Sequence, residues 1–166
     1  ILFNLFKPCW YPKYNTLTVI IPCGHFLGPD AENDKQFKSV MGNAMLFNRD
    51  LKIPTESIDK ATLVIDKSFA KIEIENKKLF CISRLKNYPD DYSVVPSKEI
   101  NEIAIDNLQG FELFAKNNDN EDEEMYQVIL FDNDGGYYLF VGTYLVESEK
   151  AIADIKGIIK TFIRTQ

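Results

Sequence analysis

Histidine and cysteine are scarce in this chain, which has one His and three Cys among 166 residues. Cys9, Cys23 and Cys81 form no Cys-x-x-Cys pair, so the usual spacing of zinc sites and dithiol redox centres is absent. They are too few for a disulfide framework, although one bridge with one thiol left over stays open. An odd count favours a reducing compartment such as the cytoplasm, whereas an export signal preceding Ile1 would place the chain outside it.

Phosphate loops and long apolar runs are also missing. No Gly-x-Gly-x-x-Gly and no Gly-Lys-Ser/Thr occurs, which argues against a bound nucleotide. The apolar opening, Ile1–Phe6, is far shorter than the ~20 residues of a membrane span. A net charge of -6 with scattered basic residues argues against nucleic acid or an anionic membrane as the main partner. We therefore expect no cofactor, no nucleic-acid partner and no membrane span.

The chain does contain enough apolar material for one ordinary domain, since 45% of its residues are hydrophobic and 13% are aromatic. We predict that residues 16–166 form this domain. Residues 1–15 are rich in Pro and predict an N-terminal arm without regular structure. Aromatic residues in this arm either fold back or contact a partner, and they are our candidate binding residues: Phe3, Phe6, Trp10, Tyr11 and Tyr14.

The C-terminal third carries the clearest pattern. Two apolar runs, Tyr126–Phe131 and Tyr137–Val146, flank a Gly-containing loop and predict a β-hairpin. Both faces of each run carry large apolar groups, which predicts central strands that are covered on both sides. Helical spacing then predicts an amphipathic helix over Ser148–Ile163, packed on the sheet.

The preceding segments predict further strands and one earlier helix. Ile100–Ile105 and Phe111–Ala115 form a predicted strand pair, and apolar spacing from Asp34 to Met45 predicts a helix. Other predicted strands are Thr16–Ile21, Ala61–Ile65, Phe69–Ile74 and Leu79–Leu85. The sequence therefore predicts an α+β fold in which helices flank an antiparallel sheet of about six strands.

The same segments resemble a known fold group. Glu102–Glu112, Tyr126–Phe131, Gly136–Thr143 and Ile158–Phe162 together resemble the Mog1/PsbP-like proteins, which include small bacterial proteins of unknown function. This resemblance implies a central antiparallel sheet flanked by helices. Named members of the group act by binding a small nuclear GTPase or the oxygen-evolving photosystem, so the resemblance implies an accessory role through protein–protein interaction.

Cys23 and His25 are the candidate catalytic residues. They stand two apart in a Gly-containing loop, which suggests a thiol nucleophile with an imidazole base. The spacing argues against a simple dyad, because a catalytic imidazole usually comes from elsewhere in the fold. No third group is evident to orient the imidazole, and we favour an ordinary loop. A small hydrolase or thiol enzyme is therefore the alternative to non-enzymatic protein binding.

Acidic residues between Asn117 and Glu124 are the candidate metal ligands. Asp119, Glu121 and Asp122 offer the carboxylate oxygens that Ca²⁺ prefers. No register supplies both the Gly and the Glu of an EF-hand loop, and a solvated hairpin tip also explains the cluster. We treat these residues as candidates for calcium and favour the hairpin tip.

Overall fold

The computed structural model describes residues 8–10, 21–22, 45–48, 61–68 and 74–164. Its helices are α1 (Lys77–Ser83) and α2 (Glu149–Lys160), and short 3-10 turns over Ile74–Asn76 and Arg84–Asn87 flank α1. The strands are β1 (Pro8–Trp10), β2 (Ile21–Pro22), β3 (Met45–Asn48), β4 (Ala61–Ser68), β5 (Tyr92–Val94), β6 (Asn101–Ile105), β7 (Leu108–Asn117), β8 (Glu123–Phe131) and β9 (Tyr137–Leu145).

The main sheet is antiparallel throughout and has the strand order β3-β4-β9-β8-β7-β5. Strand β6 also pairs with β7, on the side away from β8, so β5 and β6 share one edge of the sheet. Strands β1 and β2 form a separate antiparallel pair. The predicted α+β architecture, a sheet about six strands wide with helices against it, is confirmed.

Both hairpins predicted in the C-terminal half are present, but β7 begins at Leu108 and not at Phe111, so its connection to β6 is shorter than predicted. Strands β8 and β9 pair from Glu123–Leu145 to Phe131–Tyr137 around the predicted turn. Strands β6 and β7 are joined by Asp106 and Asn107, whose φ angles of 50° and 61° are those of a tight two-residue hairpin turn. Asp and Asn tolerate this left-handed backbone better than other non-glycine residues, which explains their position here.

Helix α2 covers one face of the sheet. Ile155, Ile158 and Ile159, which belong to the apolar stripe that the helical spacing predicts, are buried, and so is Ala151. Gly142 of β9 allows this close approach, because a Cβ at that position would lie 2.6 Å from Ile155 Cγ2. The apolar core on this side also contains Leu63, Ile65, Tyr126, Val128, Leu130, Tyr138, Phe140 and Phe162.

Helix α1 covers the opposite face, where the sequence predicted a strand over Leu79–Leu85. That prediction is wrong, because Cys81 and Leu85 use the four-residue spacing of a helical segment to bury the same side against the sheet. A short apolar run fits either period, and only the tertiary contacts decide between them. The core on this side also contains Leu113, Met125, Ile129, Phe131, Tyr137, Leu139 and Val141.

Two N-terminal predictions also need correction. Pro8–Trp10 is a strand inside the arm for which we predicted no regular structure, and it pairs with Ile21–Pro22. Met45, which ended the predicted helix, begins β3 instead and pairs with Ile65. Residues 16–20, 23–44 and 69–73 lie outside the described residues, as do the predictions made for them. The division into an arm and a domain stays a prediction.

Hydrogen bonds from polar side chains link both covering layers to the sheet. The fully buried Gln127 of β8 accepts a hydrogen bond from Tyr88 Oη at 2.7 Å and donates one to the Cys81 carbonyl at 2.9 Å. On the α2 side, Arg164 donates from its backbone N–H and its Nε to Asp106 Oδ2, each at 2.9 Å. The chain beyond α2 is thereby attached to the β6–β7 turn.

Neither α1 nor α2, the helices of the described residues, has the length and apolar character that crossing a membrane would require.

Gly110 of β7 gives a sharp test of the sheet packing. A Cβ there would lie 1.9 Å from the Ile129 carbonyl oxygen, which belongs to the neighbouring backbone and cannot swing aside. We expect Gly110→Ala to lower the free energy of unfolding by about 3 kcal/mol, measured by urea denaturation. Gly157→Ala on α2 is the matched control, because nothing lies within 4 Å of its Cβ position. This control should be more stable than wild type by about 1 kcal/mol. Equal stability of both variants would contradict the close approach of β7 and β8 at Gly110.

Asp106 should make stability depend on acid pH. The backbone N–H and guanidinium of Arg164 hold the pKa of its carboxyl below the usual range. This stabilisation is present above the unfolded-state pKa of about 4 and is lost as the pH falls through the lower folded-state pKa. Asp106→Asn, which keeps the left-handed backbone accessible, should cost about 1 kcal/mol at pH 7. The cost should shrink at pH values below about 4, while the exposed Asp134→Asn serves as control.

Candidate interaction surface

Helix α2 leaves part of its sheet face open. The side chains beneath it on β4 and β9 are buried, as Leu63 and Phe140 show with no exposed area. Towards the opposite edge, Ile103 of β6 and Glu112 and Phe114 of β7 are only half-buried. A strip of β6 and β7 is therefore accessible beside the helix.

Phe114 lies in this strip between two lysine side chains. Lys98 Nζ is 4.5 Å from the centre of its ring, and Lys156 Nζ, from α2, is 4.7 Å from it. The ring also packs against Tyr126, with centroids 5.0 Å apart. These distances are those of favourable cation–π and aromatic contacts.

Two glutamates lie beside Phe114 and its neighbours and bond to nearby tyrosines. Glu112 accepts a hydrogen bond from Tyr126 Oη, and Glu124 accepts one from Tyr144 Oη at 2.9 Å. Lys98 Nζ also lies 2.6 Å from Glu124 Oε2. Burial, followed by the neighbouring carboxylate, raises the pKa of both tyrosines, so they stay neutral hydrogen-bond donors. We call the set Lys98, Glu112, Phe114, Glu124, Tyr126 and Lys156 the aromatic–lysine patch.

The patch was missed by our sequence analysis, although one signal for it existed. Glu112, Phe114 and Lys116 alternate on one face of β7, so a single aromatic residue sits between charges on a strand. That pattern indicates a half-exposed ring. Lys98 and Lys156 come from a loop and from α2, and their approach depends on the tertiary fold.

The acidic residues predicted as calcium ligands lie in the β7–β8 connection, and Asp119, Glu121 and Asp122 are all exposed. The buried Asn117 organises the connection by accepting hydrogen bonds from the Asp119 and Asn120 backbone N–H groups, at 2.9 and 3.2 Å. Across the described residues, no three His, Cys, Asp or Glu side chains are grouped to hold a metal ion. Calcium binding stays a prediction.

The other predicted site residues receive little structural description. Cys23 and His25 lie outside the described residues, so the thiol-enzyme alternative stays a prediction. The same holds for the arm aromatics Phe3, Phe6, Tyr11 and Tyr14. Trp10 is the last residue of β1, and only its backbone is described.

A second polar cluster lies on the α1 side of the sheet. Burial raises the pKa of the Asp66 carboxyl, and the nearby Arg84 guanidinium offsets part of that rise. Burial also raises the pKa of Tyr88, the donor to Gln127, and Arg84 again acts in the opposite direction. Within the described ranges, buried Arg84 Nε has no hydrogen-bond partner. The Tyr88–Gln127 hydrogen bond connects the segment after α1 to β8.

Comparison with known proteins identifies the fold. No protein-family model matches the sequence, and no curated protein matches it. Several solved structures do match. LpqN of Mycobacterium tuberculosis, which is involved in cell envelope biogenesis, has a TM-score of 0.59 at 12% identity, over 90% of this chain and 83% of that one.

The Ran-binding protein Mog1p of Saccharomyces cerevisiae has a TM-score of 0.54 at 10% identity, over 88% of each chain. Cyanobacterial PsbP from Synechocystis has a TM-score of 0.57 at 10% identity, over 94% of this chain and 91% of that one. The chain therefore has the Mog1/PsbP-like fold, as its sequence indicated. At these identities the likeness concerns the fold alone.

Cys81 is predicted to be unreactive in the folded protein. Its side chain has no exposed area, and burial raises the pKa of its thiol to about 12. Since the thiolate is the reactive form, we expect iodoacetamide to label Cys81 at least about a hundredfold more slowly in native than in urea-unfolded protein. Peptide mapping by mass spectrometry measures this rate, with Cys9 and Cys23 followed in the same samples. Rapid native labelling of Cys81 would contradict the position of α1.

Proposed function

We propose that this protein is a non-enzymatic accessory protein that binds another protein, and that the partner contacts the aromatic–lysine patch. The observation that carries the proposal is the half-buried Phe114, held between Lys98 and Lys156 on a strip of sheet that α2 does not cover.

The chemistry of the patch suits a protein partner. Aromatic rings are enriched at the centres of protein interfaces, where a few of them supply most of the binding energy. Phe114 already packs on Tyr126, so it loses little side-chain freedom on binding. The lysine stems can move to the rim of an interface while their ammonium groups stay in water.

The charged groups of the patch add specificity. Glu112 and Glu124 are held by buried tyrosine hydroxyls, so their positions are set before a partner arrives. Prearranged charges of both signs favour a partner with the complementary order of charges and disfavour others.

Two further considerations support a binding role. One protein of the same fold, Mog1p, is described as Ran-binding, which is consistent with protein binding on this scaffold without indicating the partner here. The arm aromatics Phe3, Phe6, Trp10, Tyr11 and Tyr14 form a second proposed contact, since aromatic side chains are enriched at protein interfaces.

Removing the Phe114 ring should weaken partner binding. We would cross-link the tagged full chain in its native cells, identify what co-purifies, and measure its affinity for wild type and variants. Phe114→Ala should weaken binding by about tenfold or more, because truncation of a central aromatic residue of an interface typically costs that much. Lys156→Ala should weaken it by a smaller factor, because the lysine lies at the rim. Leu79→Ala and Lys78→Ala, at exposed positions of α1 on the opposite face, should bind as wild type does.

Thermal unfolding of each variant separates lost binding from lost folding. One outcome is that the partner binds Phe114→Ala and Lys156→Ala as it binds wild type and fails to bind a chain that lacks residues 1–15. That result would show that the partner contacts the arm and not the patch. Absence of any specific partner, with all variants folded, would overturn the binding function itself.

A further inference from the structure

Strand β6 lies at the edge of the sheet that the described strands form. Among the described strands only β7 pairs with it, and Asn101, Glu102 and Ala104 are exposed. An exposed edge strand presents unpaired backbone N–H and C=O groups to any chain that can align with them.

The β6–β7 turn determines which backbone N–H and C=O groups of β6 point away from β7. In a two-residue hairpin the residues that flank the turn, here Ile105 and Leu108, exchange both of their backbone hydrogen bonds. Bonded pairs alternate along the strands, so Ile103 also bonds to β7. The N–H and C=O groups of Glu102 and Ala104 therefore face away from the sheet.

Nothing within β6 blocks pairing at this edge. The strand contains neither Pro nor Lys, which proteins commonly use to protect exposed edges. Its single charge is Glu102. Ile103, on the α2 side of the sheet, is half-buried and offers apolar surface to an added strand.

We propose that β6 pairs with β6 of a second copy of this chain, antiparallel about a two-fold axis at Ile103. In this register Glu102 lies opposite the second copy's Ala104, and Ala104 opposite its Glu102, so every outward group gains a partner. The two Ile103 side chains meet on the α2 side, and antiparallel cross-strand pairs of this type are stabilising.

Repulsion between acidic side chains disfavours the two neighbouring registers of the β6–β6 pairing. A shift that centres the axis on Glu102 places the two Glu102 carboxylates directly opposite each other, which is destabilising. A shift that centres it on Ala104 places Glu102 opposite Asp106, also acidic. Of these three registers, the one centred on Ile103 is the one in which no acidic residue lies directly opposite another, and this self-complementarity is the reason for choosing a second copy as occupant.

This pairing is independent of the partner proposed for the aromatic–lysine patch. A two-fold axis perpendicular to the sheet leaves α2 and the patch of both copies on one side. The two β7 strands that carry the patches lie three inter-strand spacings apart, roughly 14 Å at ~4.8 Å per spacing. The dimer would therefore present two patches to one side.

Charge changes at Ala104 test the proposal. Sedimentation equilibrium on the full chain, over concentrations up to about 1 mM, should show a monomer–dimer equilibrium that tightens with added salt, because both copies carry a charge of -6. Ala104→Glu places like charges opposite Glu102 at both symmetric positions and should weaken the dimer by about tenfold. Ala104→Lys should strengthen it by a similar factor. Ala104 is exposed, so both variants should fold, which thermal unfolding checks.

Opposite effects of these variants support the register, because a pairing centred on Ala104 would be weakened by both. Weakening by both variants, or no effect of either, overturns the proposal, as does a monomer at every concentration and salt. Partner binding through Phe114 is measured separately, so a monomer that still binds its partner would refute the dimer and leave the proposed function intact.

Discussion

Burial of β8 on both faces dictates how the other layers of the molecule are arranged. All side chains from Met125 to Phe131 are buried. A strand of this kind is stable only when other elements exclude water from both sides of it. Helix α2 does so on one face, and α1 with the turn after it does so on the other. The one polar side chain in this run, Gln127, satisfies both ends of its amide with Tyr88 and the Cys81 carbonyl.

The proposed interaction surface is a consequence of how the face on the α2 side is covered. Gly142 lets Ile155 approach β9 closely, so α2 lies near that strand. The strip formed by β6 and β7 is left beside the helix. Phe114 packs there against Tyr126, and the ammonium groups of Lys98 and Lys156 lie 4.5 and 4.7 Å from the centre of its ring. These contacts restrict the ring to one position before a partner binds.

The alignment of the edge strand β6 likewise depends on a few local contacts. The turn at Asp106 and Asn107 aligns β6 with β7, and Arg164 holds Asp106 from the other side. The two-residue turn therefore decides both the pairing inside the sheet and the backbone groups that β6 presents outside it. Patch and edge lie on the same side of the molecule, so binding of another protein and association of two copies would use neighbouring surfaces.

The sequence alone was sufficient to predict those helices and strands whose hydrophobic pattern is compatible with a single structure. Apolar residues on both faces of β8 and β9 admit only a doubly covered hairpin, and the spacing of Ile155, Ile158 and Ile159 admits only a helix. These long, regular patterns also carried the resemblance to the Mog1/PsbP-like fold. The state of Leu79–Leu85 depended on tertiary contacts, because a short apolar run fits a strand and a helix equally well until its neighbours are placed. The aromatic–lysine patch depended on them too, since Lys98, Phe114 and Lys156 come from three separate elements. Residue spacing encodes local periodicity, whereas contacts between distant segments exist only after the chain has folded.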